Sequence, residues 1–385
     1  MPGKHYLSGA TLILADEVIT DGSVLIEDGV ISAINPVNAD FTKEISLKGK
    51  TLMPGMIDLH CDALEKEVEP RPNVHFPLDF ACAQADKRNA AAGITTVYHA
   101  LSFANDELGV RNNEFAARIV HAVNDWQPHA LVDNRVHCRY EITDASGLPI
   151  LLDLLAQDAM HLVSLMDHTP GQGQFKDMAA YRTYLTRTYK KTDQELDEII
   201  ANKIAAASGA YDRIETLVHA AQQHGVAVAS HDDDNLERVE TIARLGISLS
   251  EFPINLETAR AAHDKNIKTI FGAPNILRGG SQSGSMRAVD AVHAGVADCL
   301  CADYSPATLI VAIFKLAQEY DVPLVDAIRL VTLNPARAVG LQDRGEIVVG
   351  KRADLIAVSH FGRLPQVADV WVHGAHAYRA VYDHD

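Results

Sequence analysis

The chain has 385 residues, 47% of them hydrophobic and 22% charged, with a formal net charge of −17 at pH 7. Such proportions fit a folded α/β protein too long for one small core, and the acidic balance excludes a generic nucleic-acid or membrane-surface binder, which needs a basic face. No apolar run approaches the roughly 18 residues of a membrane span.

The start, MPGKHYLSGATLILADEV, lacks the basic region, apolar run and cleavage site of a secretory leader, so a cytoplasmic protein is expected. Residues 1–53 alternate apolar and polar positions between turn signals, as in GSVLIEDGVISAI, the period-2 pattern of half-buried strands. The same texture returns in GEIVVGKRADLIAVSH and ADVWVHGAHAYRAVY, so 1–53 and 345–385 are expected to form one small β-sandwich domain.

Between them, over 54–344, come eight short apolar runs: MIDLHCD (56–62), ITTVYHA (94–100), RVHCRYEI (135–142), HLVSLMDH (161–168), VAVASHD (226–232), ISLSEFP (247–253), KTIFGAP (268–274) and DCLCADY (298–304). Mostly helical patterns separate them. Eight such alternations over about 250 residues predict a (β/α)8 TIM barrel, whose strands are apolar on both faces because interior and outer helices both cover them. A charged helical insertion is expected around 176–210, with TDQE as a capping box, and could serve as a lid. The five cysteines (Cys61, Cys82, Cys138, Cys299, Cys301) form no C-x2-C pair and read as small core hydrophobes in a reducing compartment.

Polar residues fall where these strands end: His60 and Asp62, Glu141, His168, His231 and Asp303, with Glu251 near the end of another. A TIM barrel gathers its C-terminal strand ends at one mouth, so residues distant in sequence meet there. Singly, each has a bland reading, as a hydrogen-bonded histidine or a helix N-cap. Together, three imidazoles and three carboxylates suit Zn, Mn, Fe or Co, and a shared carboxylate can hold two ions about 3.5 to 4 Å apart. His60 and Asp62, at i and i+2 on a strand, project to the same face. His99 and His137 read as supporting or structural groups. One of Asp232, Asp233 and Asp234 is expected to cap the next helix and another to orient an imidazole.

LMPGMIDLHCD, AAAGITTV, the late ADY, NPARAVGL and G-x-I-x-x-GKRADLIAV together resemble the amidohydrolase superfamily over nearly the whole chain. Further blocks, including PGMIDLHCDALEKEVEPRP, LVSLMDHTPGQGQF, ASHDD, EFP and GAPNILRGGSQSG, are similar to its ribose 1-methylphosphonate 5-triphosphate diphosphatase branch in the carbon–phosphorus lyase pathway. The resemblance implies two divalent ions, zinc first among the candidates, ligated by His60, Asp62, Glu141, His168, His231 and Asp303. It also implies hydrolysis of a ribose triphosphate carrying a 1-phosphonate to the 5-phosphate and pyrophosphate. Three departures from the wider superfamily stand out. Asp62 replaces the second histidine of His-x-His, Glu141 replaces a carbamylated lysine, and His168 and His231 fall on strands four and five where relatives use five and six, so that either a strand is missed in this reading or the insertion hides one.

Asp303 is the candidate general base, since a last-strand carboxylate can accept the attacking water's proton. APNILRGGSQSG (273–284) is the candidate phosphate cradle: Asn275 and Arg278, backbone N–H groups at Gly279, Gly280 and Gly284, and hydroxyls of Ser281 and Ser283. Its bland reading is a flexible surface loop. Lys66, Arg71 and the HTPGQGQF loop are weaker candidates for substrate contact, since a lone basic residue near a strand end is usually just solvated. The expected partner is a small phosphorylated molecule, and a homodimer is allowed. Two other readings remain, a cyclic-amide hydrolase or nucleobase deaminase and a non-catalytic scaffold.

Overall fold

The computed structural model describes residues 4–105, 112–168, 208–281 and 284–382, with the isolated positions 194, 197 and 201. The inserted segment expected around 176–210, its TDQE box, most of the HTPGQGQF loop and Ser283 therefore lie outside the described residues, save for those isolated positions and 208–210.

The N-terminal strands are β1 (His5–Ile13), β2 (Val18–Glu27), β3 (Val30–Ile34), β4 (Lys43–Ser46) and β5 (Thr51–Pro54). The barrel follows as β6 (Met56–Cys61), β7 (Ile94–Phe103), β8 (Asp133–Glu141), β9 (Leu162–Met166), β10 (Ala227–His231), β11 (Leu249–Glu251), β12 (Lys268–Gly272) and β13 (Cys299–Cys301). The chain closes with β14 (Leu355–Phe361), β15 (Leu364–Val372) and β16 (Ala375–Arg379).

Each of the eight apolar runs read from the sequence became one barrel strand, and all seven neighbouring pairs are parallel. Among the described residues no further barrel strand intervenes: His168 follows the fourth strand and His231 ends the fifth. Closure is made at the mouth, by Asp303 N–H donating to the His60 carbonyl (2.9 Å) and Asp62 N–H donating to the Asp303 carbonyl (3.0 Å). Beneath them the buried Asp58 carboxylate accepts from Ala302 N–H at 3.0 Å, tying first strand to last. The five cysteines are free and buried, as core hydrophobes should be.

Both chain ends form one hydrogen-bonded sheet, in the order β16-β15-β14-β5-β1-β2-β3 with β4 beside β1. The antiparallel β14–β5 pair joins the two ends. Ile356, Val358 and Val367 of this sheet pack in one core with Ala90, Ala92 and Ile94 of the barrel. Gly93 stands at that contact with φ +83, capping helix Leu78–Ala92. A Cβ there would lie 3.0 Å from both Ile356 and Val367, so the glycine of AAAGITTV serves a left-handed cap and a close approach together. At the opposite end of the strands from the mouth, Arg344, 4% exposed, donates to Thr96 (2.9 Å) and Asp133 (2.6 Å) of the barrel and to Asp343 (2.9 Å).

Candidate active site

Alternation along buried strands builds the site in layers. Asp58, His60 and Asp62 recur at i+2 at the end of β6, as do His137, Arg139 and Glu141 on β8. His231 and Glu251 are direct partners across the parallel β10–β11 ladder, which sets their side chains beside each other.

His60, His231 and Glu251, all buried, bring one ligand-type atom each within 4.8 Å of one another. His60 Nδ1 and Glu251 Oε1 are 3.1 Å apart, with the two side chains 1% and 0% exposed. Yet His60 Nδ1 and both Glu251 oxygens have no hydrogen-bond partner among the described residues. A carboxylate left bare in the interior costs several kcal/mol, so the arrangement asks for a cation. Two donors each about 2.1 Å from one ion stand about 3.0 to 3.4 Å apart, which accommodates the observed pair. Burial, with Arg139 and His231 adding to it, holds the His60 imidazole well below its usual pKa and thus in the neutral form that ligates. These three residues could hold a divalent ion, and Glu251 is the member that the sequence-derived ligand set lacked. Its signal was its place at the end of the sixth strand, in EFP.

The other expected ligands form smaller groups. Glu141 Oε2 lies 2.9 Å from His168 Nδ1, while Thr143 donates to Glu141 Oε1 at 2.7 Å. Asp62 Oδ2 lies 3.9 Å from an Arg139 nitrogen, and Asp62 Oδ1 is buried without a partner among the described residues. Asp303 lines a cavity of about 220 Å³ with His60, Arg139, His231, Arg278 and Ser281, whereas Asp62, Glu141 and His168 are not among its lining residues. Burial, then the Asp62 charge, pushes the Asp303 carboxyl up to about 6 against the pull of Arg139, His231 and Lys66. Its φ of +55 places it in the left-handed region just beyond β13.

His137 is a supporting group: its Nδ1 meets the Leu59 carbonyl at 3.1 Å and its Nε2 the Ser164 hydroxyl at 2.8 Å. His99 pairs with Asn134 at 2.8 Å. Asp232 Oδ2 lies 3.3 Å from His231 Nδ1, as an orienting carboxylate should. The expected aspartate cap is not formed; Asn235 caps helix Leu236–Arg244 by accepting from Arg238 N–H, because Asp233 is drawn inward by Ser230, Ser250 and Arg238.

The glycine-rich segment is organised differently from a backbone cradle. Residues Ala273–Arg278 form a helix with Pro274 in its first turn, and Gly279 and Gly280 N–H groups donate to Ile276 and Asn275 carbonyls at its C-terminal end. Those N–H groups are committed, and a helix C-terminus repels anions. Asn275 lines the cavity, but its amide holds Met286 O and Ala288 N. Gly284, at φ +82, has open space where a Cβ would be. What this segment offers the cavity is side chains, Arg278 and Ser281. Lys66 lies over the Tyr304 ring at 5.4 Å and its charge reaches Asp303. Arg71 is exposed at a turn with Val74 and does not line the cavity.

The chain is 34% identical over 377 residues, 97% of its length and 100% of the relative's, to alpha-D-ribose 1-methylphosphonate 5-triphosphate diphosphatase of Escherichia coli (strain K12). It is 22% identical to dihydroorotase of Ehrlichia canis (strain Jake), across 92% of this chain and 82% of that one. Among solved structures, N-acetyl-D-glucosamine-6-phosphate deacetylase from Mycobacterium smegmatis has the same fold, with a TM-score of 0.66 at 17% identity, covering 97% of this chain and 99% of that one. The model of the amidohydrolase family matches residues 51–376, and the chain belongs to that family.

Proposed function

We propose that the chain is a metal-dependent phosphoric anhydride hydrolase that cleaves alpha-D-ribose 1-methylphosphonate 5-triphosphate to the 5-phosphate and pyrophosphate, acting in the cytoplasm in phosphonate breakdown. The observation carrying this reading is the 34% identity that runs end to end along the Escherichia coli relative bearing that activity in its name. The terminal segments 1–53 and 345–385 are read as one small domain beside the 54–344 barrel.

His60, His231 and Glu251 would hold one divalent ion, while Asp62, Glu141, His168 and Asp303 would offer oxygen and nitrogen donors for a second; zinc suits this mixed set, as do manganese, iron and cobalt. Bound ions supply Lewis-acid charge and an acidified water. Asp303, at a pKa of about 6, is charged at neutral pH and accepts the attacking water's proton. Arg278 and Ser281, which line the cavity, contact the anionic chain, and Lys66, whose charge reaches Asp303, adds positive potential beside it. Phosphoryl transfer needs mostly positioning and charge neutralisation, which such a set provides.

The dihydroorotase likeness favours a second reading, opening of a cyclic amide. Phosphorus NMR with the ribose triphosphate, with and without chelator, separates the two. Pyrophosphate appearing only without chelator supports the first; ring opening of cyclic amides with an inert triphosphate supports the second.

A further inference from the structure

We propose that Arg139 is an internal anion grip of this cavity, a guanidinium held beside the metal-type donors to bind a phosphate-type oxygen of the substrate. The inference rests on the phosphoric anhydride reading and adds to it a residue that neither the sequence motifs nor the Gly-rich segment pointed to.

Arg139 sits two residues before Glu141 on β8, one layer below the mouth. Its side chain is 9% exposed and its closest carboxylate among the described residues, Asp62 Oδ2, is 3.9 Å away, beyond a hydrogen bond. Nε has no hydrogen-bond partner among the described residues. A guanidinium carries five donors and stays charged at any accessible pH. Burying one without donors engaged is costly unless an acceptor arrives. Arg344, at 4% exposure, shows the alternative in this same chain, with hydrogen bonds to Thr96, Asp133 and Asp343 at 2.6 to 3.1 Å. Arg139 lacks such company and lines the cavity with His60, His231 and Asp303.

The charge balance says which ligand fits. Asp232 and Asp303 also line the cavity, so an incoming polyanion meets carboxylates as well as any bound ion. An internal fork of N–H donors offsets that repulsion and orients one tetrahedral anionic group through two of its oxygens. A neutral ring amide needs no such group. Arg278 is exposed at the rim and donates from Nε to the Pro274 carbonyl at 3.2 Å, so the two guanidinia have different depths and would meet different parts of an extended phosphate chain.

The test uses the metal-loaded full chain, with inorganic pyrophosphate as the probe, titrated calorimetrically into wild type, Arg139→Gln and Arg139→Lys, each checked for melting temperature and metal content. The expected result is pyrophosphate affinity lower by about 10- to 100-fold in Arg139→Gln, the worth of a charge-assisted pair. Arg139→Lys, which restores charge without the fork, should recover part of it, with metal content at the wild-type level in both. Unchanged affinity in a folded, metal-replete Arg139→Gln, or metal loss in both variants, overturns the proposal. So does a wild type that does not bind pyrophosphate. Turnover of the ribose triphosphate by wild type is scored separately and decides the functional reading on its own.

Discussion

Replacing Glu251 by glutamine should move two measurements in opposite directions. Both carboxylate oxygens are buried without partners among the described residues, one of them 3.1 Å from His60 Nδ1 and 3.7 Å from His137 Nε2. With an ion shared by His60, His231 and Glu251, the substitution removes an anionic ligand from a buried charge, a loss of about 3 to 5 kcal/mol. At 1.4 kcal/mol per decade that weakens metal binding by roughly 100- to 1,000-fold or more. In chelator-treated protein the same change removes a carboxylate that has no donors, relieving about 1 to 3 kcal/mol. Metal-free Glu251→Gln should then melt higher than metal-free wild type by roughly 2 to 6 °C, at about 2 °C per kcal/mol for a chain of this size. Competition titration against a chelating dye measures the first quantity and scanning calorimetry the second. Wild-type metal affinity together with a lower metal-free melting point would refute the reasoning and make Glu251 a structural partner of His60.

Asp303→Asn should lower kcat by about 100- to 10,000-fold while leaving metal content unchanged, measured by pyrophosphate release and elemental analysis; near-normal turnover would remove its role as base. Arg344→Met removes the 2.6 Å partner of the partly buried Asp133, which keeps Arg135 at 3.1 Å, and should cost about 1 to 3 kcal/mol in urea unfolding, with metal-site affinity unaffected. Acid should destabilise the fold through Asp133 and Asp369. Burial tends to raise both carboxyls, but Arg135 and Arg344 at Asp133, and His376 and Lys50 at Asp369, outweigh it and hold them below the usual carboxylate range. A lowered folded pKa gives stability that is present above the unfolded value and lost as pH falls from about 4 through the folded values. Urea midpoints from pH 6 to pH 2.5 should decline mainly in that lower range, and Asp369→Asn should flatten the decline.

The barrel was legible because a strand buried on both faces is largely apolar, and the eight runs keep that character apart from polar residues of the site such as His60, Arg139 and Glu251. The outer strands of the terminal sheet were legible for the converse reason, their partial burial leaving an alternating trace, whereas Leu355–Val358 at its centre is buried on both faces. Glu251 was harder to place: its strand is only three residues, Leu249–Glu251, and its proximity to His60 follows from ladder register and barrel closure, which no local pattern encodes. Arg139 lay inside RVHCRYEI, where nothing distinguishes a bare buried guanidinium from a paired one such as Arg344. The Gly-rich segment misled by composition. Pro274 at a helix start and Gly279 at its left-handed cap are legible signs of a helix that consumes the N–H groups a phosphate would need.

A crystal soaked with zinc or manganese and measured at the metal's absorption edge tests the central claim most directly. The account predicts an anomalous peak about 2.0 to 2.2 Å from donor atoms of His60, His231 and Glu251. A fully loaded protein whose ion sits away from all three, with His60 and Glu251 still in contact, would contradict it.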